Sequence, residues 1–216
     1  MLKMLVFLLE YAYSRETAKK VVNVRFLMSE NLRQKYLAKG YEIEDKILKF
    51  TDELEKTLDK DLLSLETPMT IKFVPSFSTE LPPGVDLDKC GTDMIELGDK
   101  LNFINEDDSL SSAIAIFSCK SDPYNNTFEV SGLKVPYITH TLTTECTTRT
   151  LIFAETEQPK LKAVVTTALI KAAGVLMKNP LIFEEVNDGD NGVTYEIRVN
   201  SGVIESLASN ECFYSP

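Results

Sequence analysis

Histidine is almost absent from this chain, since His140 is the single one among 216 residues. A zinc site built on three imidazoles is therefore excluded. No C-x-x-C motif occurs, so neither a zinc ribbon nor a redox cysteine pair is indicated. Beyond the N-terminus, no apolar run is long enough to span a bilayer. The G-x-S-x-G elbow is also missing, although serine hydrolysis by another arrangement stays open.

Basic side chains are too few to balance the acidic ones. The chain has 23 Lys and Arg against 33 Asp and Glu, a formal charge of −10. A chain of this balance is repelled by nucleic acids and anionic membranes, so neither is expected as a partner. Hydrophobic residues make up 44% and charged residues 26%, which is typical of a globular domain with a real core.

The N-terminus resembles a secretory signal. Residues 1–14 combine Lys3, the apolar run MLVFLL and the small-residue end Ala12-Tyr13-Ser14. The same residues also fit a first β-strand with an irregular end. We expect secretion, with residues 15–216 as the mature domain. Secretion agrees with two disulfides among four cysteines, and with glycosylation at Asn125 in an N-N-T sequon. The cysteines are Cys90, Cys119, Cys146 and Cys212.

Hydrophobic spacing predicts the elements of the first half. Alternation predicts a strand over Val21–Met28, and the spacing of Ile43, Ile47, Phe50, Leu54 and Leu58 predicts a long amphipathic helix. Further predictions are a strand at Thr70–Val74, a loop at Leu81–Asp88, a helix at Thr92–Ile104 and a buried strand at Ala113–Phe117.

The second half begins with a polar stretch, Ser121–Thr148, which predicts a long loop holding one edge strand. A buried strand follows at Thr150–Phe153, and Pro159 then begins a helix that is apolar nearly all round and should be central. Val193–Val199 is predicted as the second strand of a hairpin, whose turn lies at Asp188–Gly192. The alternation of strands and helices indicates an α/β fold.

Three segments in this order resemble the catalytic domain of the reprolysin (adamalysin) metzincins. Cys146 is followed by Thr-Thr-Arg-Thr-Leu-Ile-Phe, similar to that family's cysteine loop and its next strand. Leu169 and Gly174 fall where the family's central helix has leucine and glycine. The C-terminal Cys212-Phe-Tyr-Ser-Pro is similar to the Met-turn, with Tyr214 in place of methionine.

The resemblance implies a metzincin-like fold: a twisted mixed sheet with two or three long helices and a small irregular C-terminal subdomain. It places an upper lobe up to residue 178 and a small lobe over residues 179–216. It also implies a disulfide between Cys146 and Cys212 and, with it, a second between Cys90 and Cys119.

The chemistry of that family is missing. The resemblance puts Thr167, Lys171 and Met177 at the three zinc-ligand positions, and Ala168 in place of the glutamate that activates water. A hydroxyl is a weak ligand, a thioether prefers softer metals and a protonated lysine repels the ion. We therefore expect no catalytic residue, no metal and no cofactor, with Thr167, Ala168, Lys171, Met177 and Tyr214 marking a degenerate site.

Several side chains keep two interpretations each. Lys171 either pairs with a carboxylate inside the former site or points to solvent. His140 is a catalytic base or, more simply, a surface loop residue. Asp188 and Asp190 either bind calcium or, since the spacing fails the EF-hand pattern, form a plain turn.

The sequence thus favours a secreted, inactive metalloprotease homologue that binds an extracellular protein or peptide. Two alternatives remain open at this point: an active hydrolase of a different mechanism, and a structural protein without a specific ligand. The oligomeric state is not indicated.

Overall fold

A computed structural model gives the architecture of the chain, which consists of helices and of strands in three sheets. The residues that it describes are 17–89, 100–101, 111–118, 127–130, 133–136, 138–140, 150–155, 158–175, 177, 179–187 and 193–210. The helices are α1 Glu30–Leu37, α2 Ile43–Leu62, α3 Gln158–Ala172 and α4 Ser201–Ala208. The strands are β1 Ala18–Met28, β2 Met69–Ser78, β3 Ser111–Phe117, β4 Thr127–Val130, β5 Leu133–Pro136, β6 Ile138–His140, β7 Thr150–Ala154, β8 Leu181–Asn187 and β9 Val193–Val199.

A five-stranded sheet forms the centre of the described part, in the order β2-β1-β3-β7-β6. Strands β1, β2, β3 and β7 run parallel, and the short β6 closes the sheet antiparallel to β7. The β1 register sets Phe26 opposite Phe77 on one side and Ile114 on the other. The strands β4 and β5 form one separate hairpin, and β8 and β9 form another.

One face of this sheet carries the main core. Val22, Val24 and Phe26 alternate inward along β1, and the ring of Phe26 stacks on that of Phe77 at 5.7 Å. Helix α2 covers this face because its apolar residues recur every three or four positions and so share one stripe. Each apolar side chain buried there contributes about 1.5–3 kcal/mol to folding.

Helix α3 lies within the same core. Residues 163–170 are buried without interruption, which explains why the helix has no polar face. It ends at Gly174, whose φ of 95° is left-handed. The amide of Gly174 donates to Lys171 O and that of Val175 donates to Ile170 O, the Schellman arrangement. Glycine is therefore required here to stop the helix.

The C-terminal described elements pack onto the same core rather than standing apart from it. Leu181 and Phe183 of β8 and Val203 and Leu207 of α4 are buried in the main cluster. The Nδ2 of Asn210 donates to Ala173 O at 2.9 Å, which satisfies a carbonyl at the end of α3. The opposite sheet face is covered in part by Leu81, Val85, Leu87 and Leu101.

The structure confirms the broad fold and corrects its details. The α/β class is confirmed, as are the predicted strands at β1, β2, β3, β7 and β9, the helices at α2 and α3, and the loop at residues 81–88. Nothing in the arrangement is specific to metzincins. The described residues within Ser121–Thr148 include three short strands, whereas one edge strand was predicted. The prediction missed two of them because this polar stretch lacks the alternation by which strands are predicted. Most of the predicted helix Thr92–Ile104 lies outside the described residues.

None of the helices described is both long enough and apolar enough to cross a bilayer.

The outer edge of the sheet is capped by a buried carboxylate. Strand β2 is the edge strand, and the Phe73 amide donates a hydrogen bond to Glu55 Oε1 at 2.8 Å. The other carboxylate oxygen accepts from Lys72 Nζ at 2.6 Å. Helix α2 thereby blocks one backbone group that could pair with another strand.

We expect Glu55→Ala to lower the free energy of unfolding by about 1–3 kcal/mol, because a buried amide loses its acceptor. Urea denaturation measures the change. Asp52→Ala is the matched control, since Asp52 pairs with Lys56 on the exposed side of the same helix, and it should cost less than about 1 kcal/mol. Equal losses in the two variants would contradict the capping role.

Candidate functional site

The predicted degenerate site lies partly inside the core. Thr167 and Ala168 are fully buried on α3. The Thr167 hydroxyl has no hydrogen-bond partner among the groups the structure describes. Neither side chain reaches a surface where it could meet a substrate.

The remaining positions of that set lie elsewhere. Lys171 is half-buried one turn further along α3, and desolvation lowers its pKa from the usual 10.5. Met177 follows the helix and packs against Gly202 at the start of α4, where an added Cβ would lie 2.5 Å from Met177 Cε. Tyr214 lies outside the described residues.

The other sequence candidates also fall outside the described residues, with one exception. His140 is part of β6, opposite Thr150 of β7, so it belongs to a strand rather than to a loop. The candidates that lie outside the described residues are Asn125, Asp188, Asp190, residues 1–14 and the cysteines Cys90, Cys119, Cys146 and Cys212.

The sheet topology itself points to a different location. The chain leaves β1 for β2 on one side and returns to β3 on the other, so the strand order reverses between β1 and β3. In open parallel sheets, ligands bind beyond the carboxyl ends of the strands at such a reversal. Here that position is occupied by the carboxyl-edge cluster, which consists of Ser29, Lys35, Lys39, Asp88, Ser118 and Glu155.

Ser29 joins the end of β1 to helix α1. Its Oγ accepts from Leu32 N at 3.0 Å, the ordinary bond of an N-cap. The same hydroxyl donates to Asp88 Oδ1 at 2.6 Å, across 59 residues of sequence. The loop before Asp88 is held as well, because Ser118 N donates to Leu87 O at 3.0 Å. The ends of β1 and β3 are thus tied to a single loop.

Glu155 is the most buried charged group of the cluster, with a side chain only 2% exposed. Lys35 Nζ lies 3.1 Å from Oε2, and Lys39 Nζ lies 3.6 Å from Oε1. Lys35 also donates to Ser118 O at 3.0 Å. Two cations therefore neutralise a carboxylate that would otherwise be costly to bury. The contacts fasten α1 to the ends of β3 and β7.

Tyr36 lies beside these charges and is buried in the core. Burial, reinforced by the negative charge of Glu155, raises the pKa of its phenol above 10.0. Lys39 Nζ stands 4.9 Å from the centre of the Tyr36 ring, within cation–π range. The phenol is neutral in the folded protein at physiological pH.

The carboxyl-edge cluster is arranged to hold the fold together. Its donors and acceptors bond to one another and to backbone carbonyls, as the contacts above show. Among the described residues, no three His, Cys, Asp or Glu side chains come close enough to hold a metal ion. Sequence reasoning missed this cluster because Lys35 and Glu155 are 120 residues apart and no local motif joins them.

We expect Glu155→Gln to lower the free energy of unfolding by about 1–3 kcal/mol, because both lysines lose their charged partner. Urea denaturation at neutral pH measures it. Glu30→Gln removes a carboxylate of similar chemistry on the exposed side of α1, where its partners are Arg33 and Gln34, and should cost less than about 1 kcal/mol. If the Glu155→Gln variant were as stable as wild type, Glu155 would not be what holds α1 to the ends of β3 and β7.

Stability should also fall in alkaline solution because of Tyr36. Above pH 10 the unfolded phenol ionises while the folded phenol keeps its proton, so each further pH unit costs about 1.4 kcal/mol. Tyr36→Phe should remove this contribution and leave stability at pH 7 nearly unchanged. Denaturation curves recorded at pH 7 and pH 11 test it, and an unchanged alkaline loss in the variant would show another group to be responsible.

Comparison with known proteins locates the chain among its relatives. The sequence model of a family described as spore wall protein matches residues 21–213. A spore wall protein of Encephalitozoon cuniculi (strain GB-M1) is 29% identical over 195 residues, which cover 88% of each chain.

These matches show that the reprolysin interpretation is wrong. The family matched over nearly the whole chain is not a metalloprotease family, so the chain is neither a metzincin nor an inactive zinc peptidase. Gly174, which suggested the metzincin helix, is required by the Schellman end of α3. Thr167 and Ala168 are core residues of that helix. The match to residues 21–213 places the chain in the spore wall protein family.

Proposed function

We propose that this protein is a structural constituent of a spore wall. The observation that carries the proposal is the family match over residues 21–213. The Encephalitozoon cuniculi relative is named a spore wall protein, and the match covers 88% of this chain. A structural role was one of the alternatives that the sequence left open.

The geometry of the carboxyl edge supports a structural role. At the reversal of strand order, where an α/β enzyme places its substrate, this chain places the pairs Ser29–Asp88 and Lys35–Glu155. These contacts stabilise the chain itself and hold its loops close to the sheet. A stable, well-fastened domain suits a protein that persists in an extracellular layer.

The proposed location is the wall, outside the cell membrane. A secretory signal over residues 1–14 would provide the route there. Disulfides among the four cysteines and a glycan at Asn125 would be compatible with that compartment. The partners would then be other macromolecules of the wall.

Immunogold electron microscopy of spores tests the location. Antibodies raised against the recombinant chain should label the wall, and pre-absorption with the same chain should remove the labelling. Spores probed with pre-immune serum are the control. Labelling confined to the cytoplasm would overturn the proposal.

A further inference from the structure

One face of the sheet carries a charge opposite to that of the whole chain. We call it the basic sheet face, and it consists of the outward residues of β1 and β2. These are Lys19, Val21, Asn23, Arg25, Thr70, Lys72, Val74 and Ser76, which the register aligns in pairs. Its charged residues, Lys19, Arg25 and Lys72, are all basic, although the chain has a net charge of −10. Glu55 of α2 neutralises Lys72, so Lys19 and Arg25 give the face its positive charge. An anionic partner is therefore attracted locally.

A pocket of about 480 Å³ opens at the carboxyl end of this face, within the size range of sites for small molecules. Its described lining is Arg25, Leu27, Ser78, Glu80, Leu81 and Pro82. Apolar and polar groups thus share the lining, as in sites for ligands that have both kinds of surface.

Arg25 and Glu80 are the important groups of the pocket. Within the part of the chain that the structure describes, neither side chain makes a hydrogen bond or an ion pair, and they do not pair with each other. Arg25 is half-buried, and no described side chain pairs with its guanidinium. Two opposite charges that line one pocket without contact leave room for a ligand between them.

The chemistry of these groups defines the ligand. A guanidinium binds a carboxylate through two parallel hydrogen bonds, while the Glu80 carboxylate accepts from hydroxyl groups. Leu27, Leu81 and Pro82 can contact the carbon skeleton. A sugar acid carries all three features: a carboxylate, several hydroxyls and an apolar ring face.

The basic sheet face also carries basic side chains outside the pocket. Lys19 lies six residues before Arg25 on β1, about 20 Å along an extended strand. Lys72, opposite Val21, stands between them, 54% exposed while its Nζ contacts Glu55. Val21 and Val74 are also about half exposed. Since Lys72 is paired with Glu55, the two cations that can meet a ligand are Lys19 and Arg25, and their separation along one strand fits a polymer with repeated carboxylates better than a single acid.

An acidic peptide fits this face less well. Extended peptides gain affinity by pairing their backbone with the edge of a sheet. At β2 the Phe73 amide is already taken by Glu55, so this pairing is blocked there. The neutral Asn23, Thr70 and Ser76 instead offer hydrogen bonds that a hydroxyl-rich chain can use.

We propose that the basic sheet face binds an acidic polysaccharide, with one uronate carboxylate on Arg25 and its hydroxyls directed to Glu80. This rests on the proposed function, for which it names a class of wall partner. The binding is noncovalent and needs no cofactor.

Titration of the full chain with polygalacturonate, followed by calorimetry, tests the proposal. Arg25→Gln should weaken binding at least about tenfold, since a charge-assisted pair is lost. Lys19→Gln should weaken it by a smaller factor. The affinity of Arg25→Lys should fall between those of wild type and Arg25→Gln, because lysine keeps the charge but cannot form the two parallel hydrogen bonds of a guanidinium. Lys56→Gln, on the exposed side of α2, is the matched control and should bind as wild type does. Rising salt should weaken binding, and neutral dextran should not bind.

Three results would overturn the proposal: no binding of polygalacturonate, equal binding by the Arg25→Gln and Lys56→Gln variants, or tighter binding of poly-glutamate than of polygalacturonate. Urea denaturation of each variant shows that it is folded. The two proposals can fail separately. Wall labelling without polygalacturonate binding would contradict only the proposed ligand. Polygalacturonate binding by a protein that is confined to the cytoplasm would contradict only the proposed role in the wall.

Discussion

The parallel pairing of β1, β2, β3 and β7 is the constraint on which the rest of this structure depends. Parallel neighbours cannot be joined by a tight turn, so each connection must cross a face of the sheet. Helix α2 is the crossing from β1 to β2, and α3, which follows β7, packs on the same face, so both helices bury the inward residues of β1. The same geometry brings the carboxyl ends of the parallel strands to one edge, where Ser29 bonds to Asp88 and Lys35 pairs with Glu155.

Two buried carboxylates add polar contacts at the borders of the sheet to the stability that the apolar core provides. Glu55 satisfies an amide at the outer edge of the sheet, and Glu155 ties helix α1 to the ends of β3 and β7. Glu55 stands beside one lysine and Glu155 beside two, all about half exposed, so the positive charge stays partly solvated while the carboxylate is buried. Electrostatics therefore act in this fold chiefly as fasteners at the borders of the sheet.

The metzincin resemblance failed for an instructive reason. It relied on the order of elements and on single residues such as Leu169 and Gly174, and both have simpler physical explanations. Leucine at position 169 lies in the segment 163–170 of α3, which is buried throughout, and glycine at 174 is required where that helix stops. α/β proteins share such features widely, so their order alone carries little information about family or chemistry.

Local order was determined by the sequence alone. The spacing of Ile43, Ile47 and Leu54 produces α2, and the alternation from Val22 to Phe26 produces β1, because side-chain periodicity acts over a few residues. The short helices α1 and α4 were missed although Ser29 and Asn200 cap them, since two or three apolar residues make too weak a pattern. Only the tertiary structure decided that Lys35 meets Glu155 and that Arg25 shares a pocket with Glu80. Contacts between distant residues depend on how strands are ordered in a sheet, and periodicity within one segment contains no information about that order.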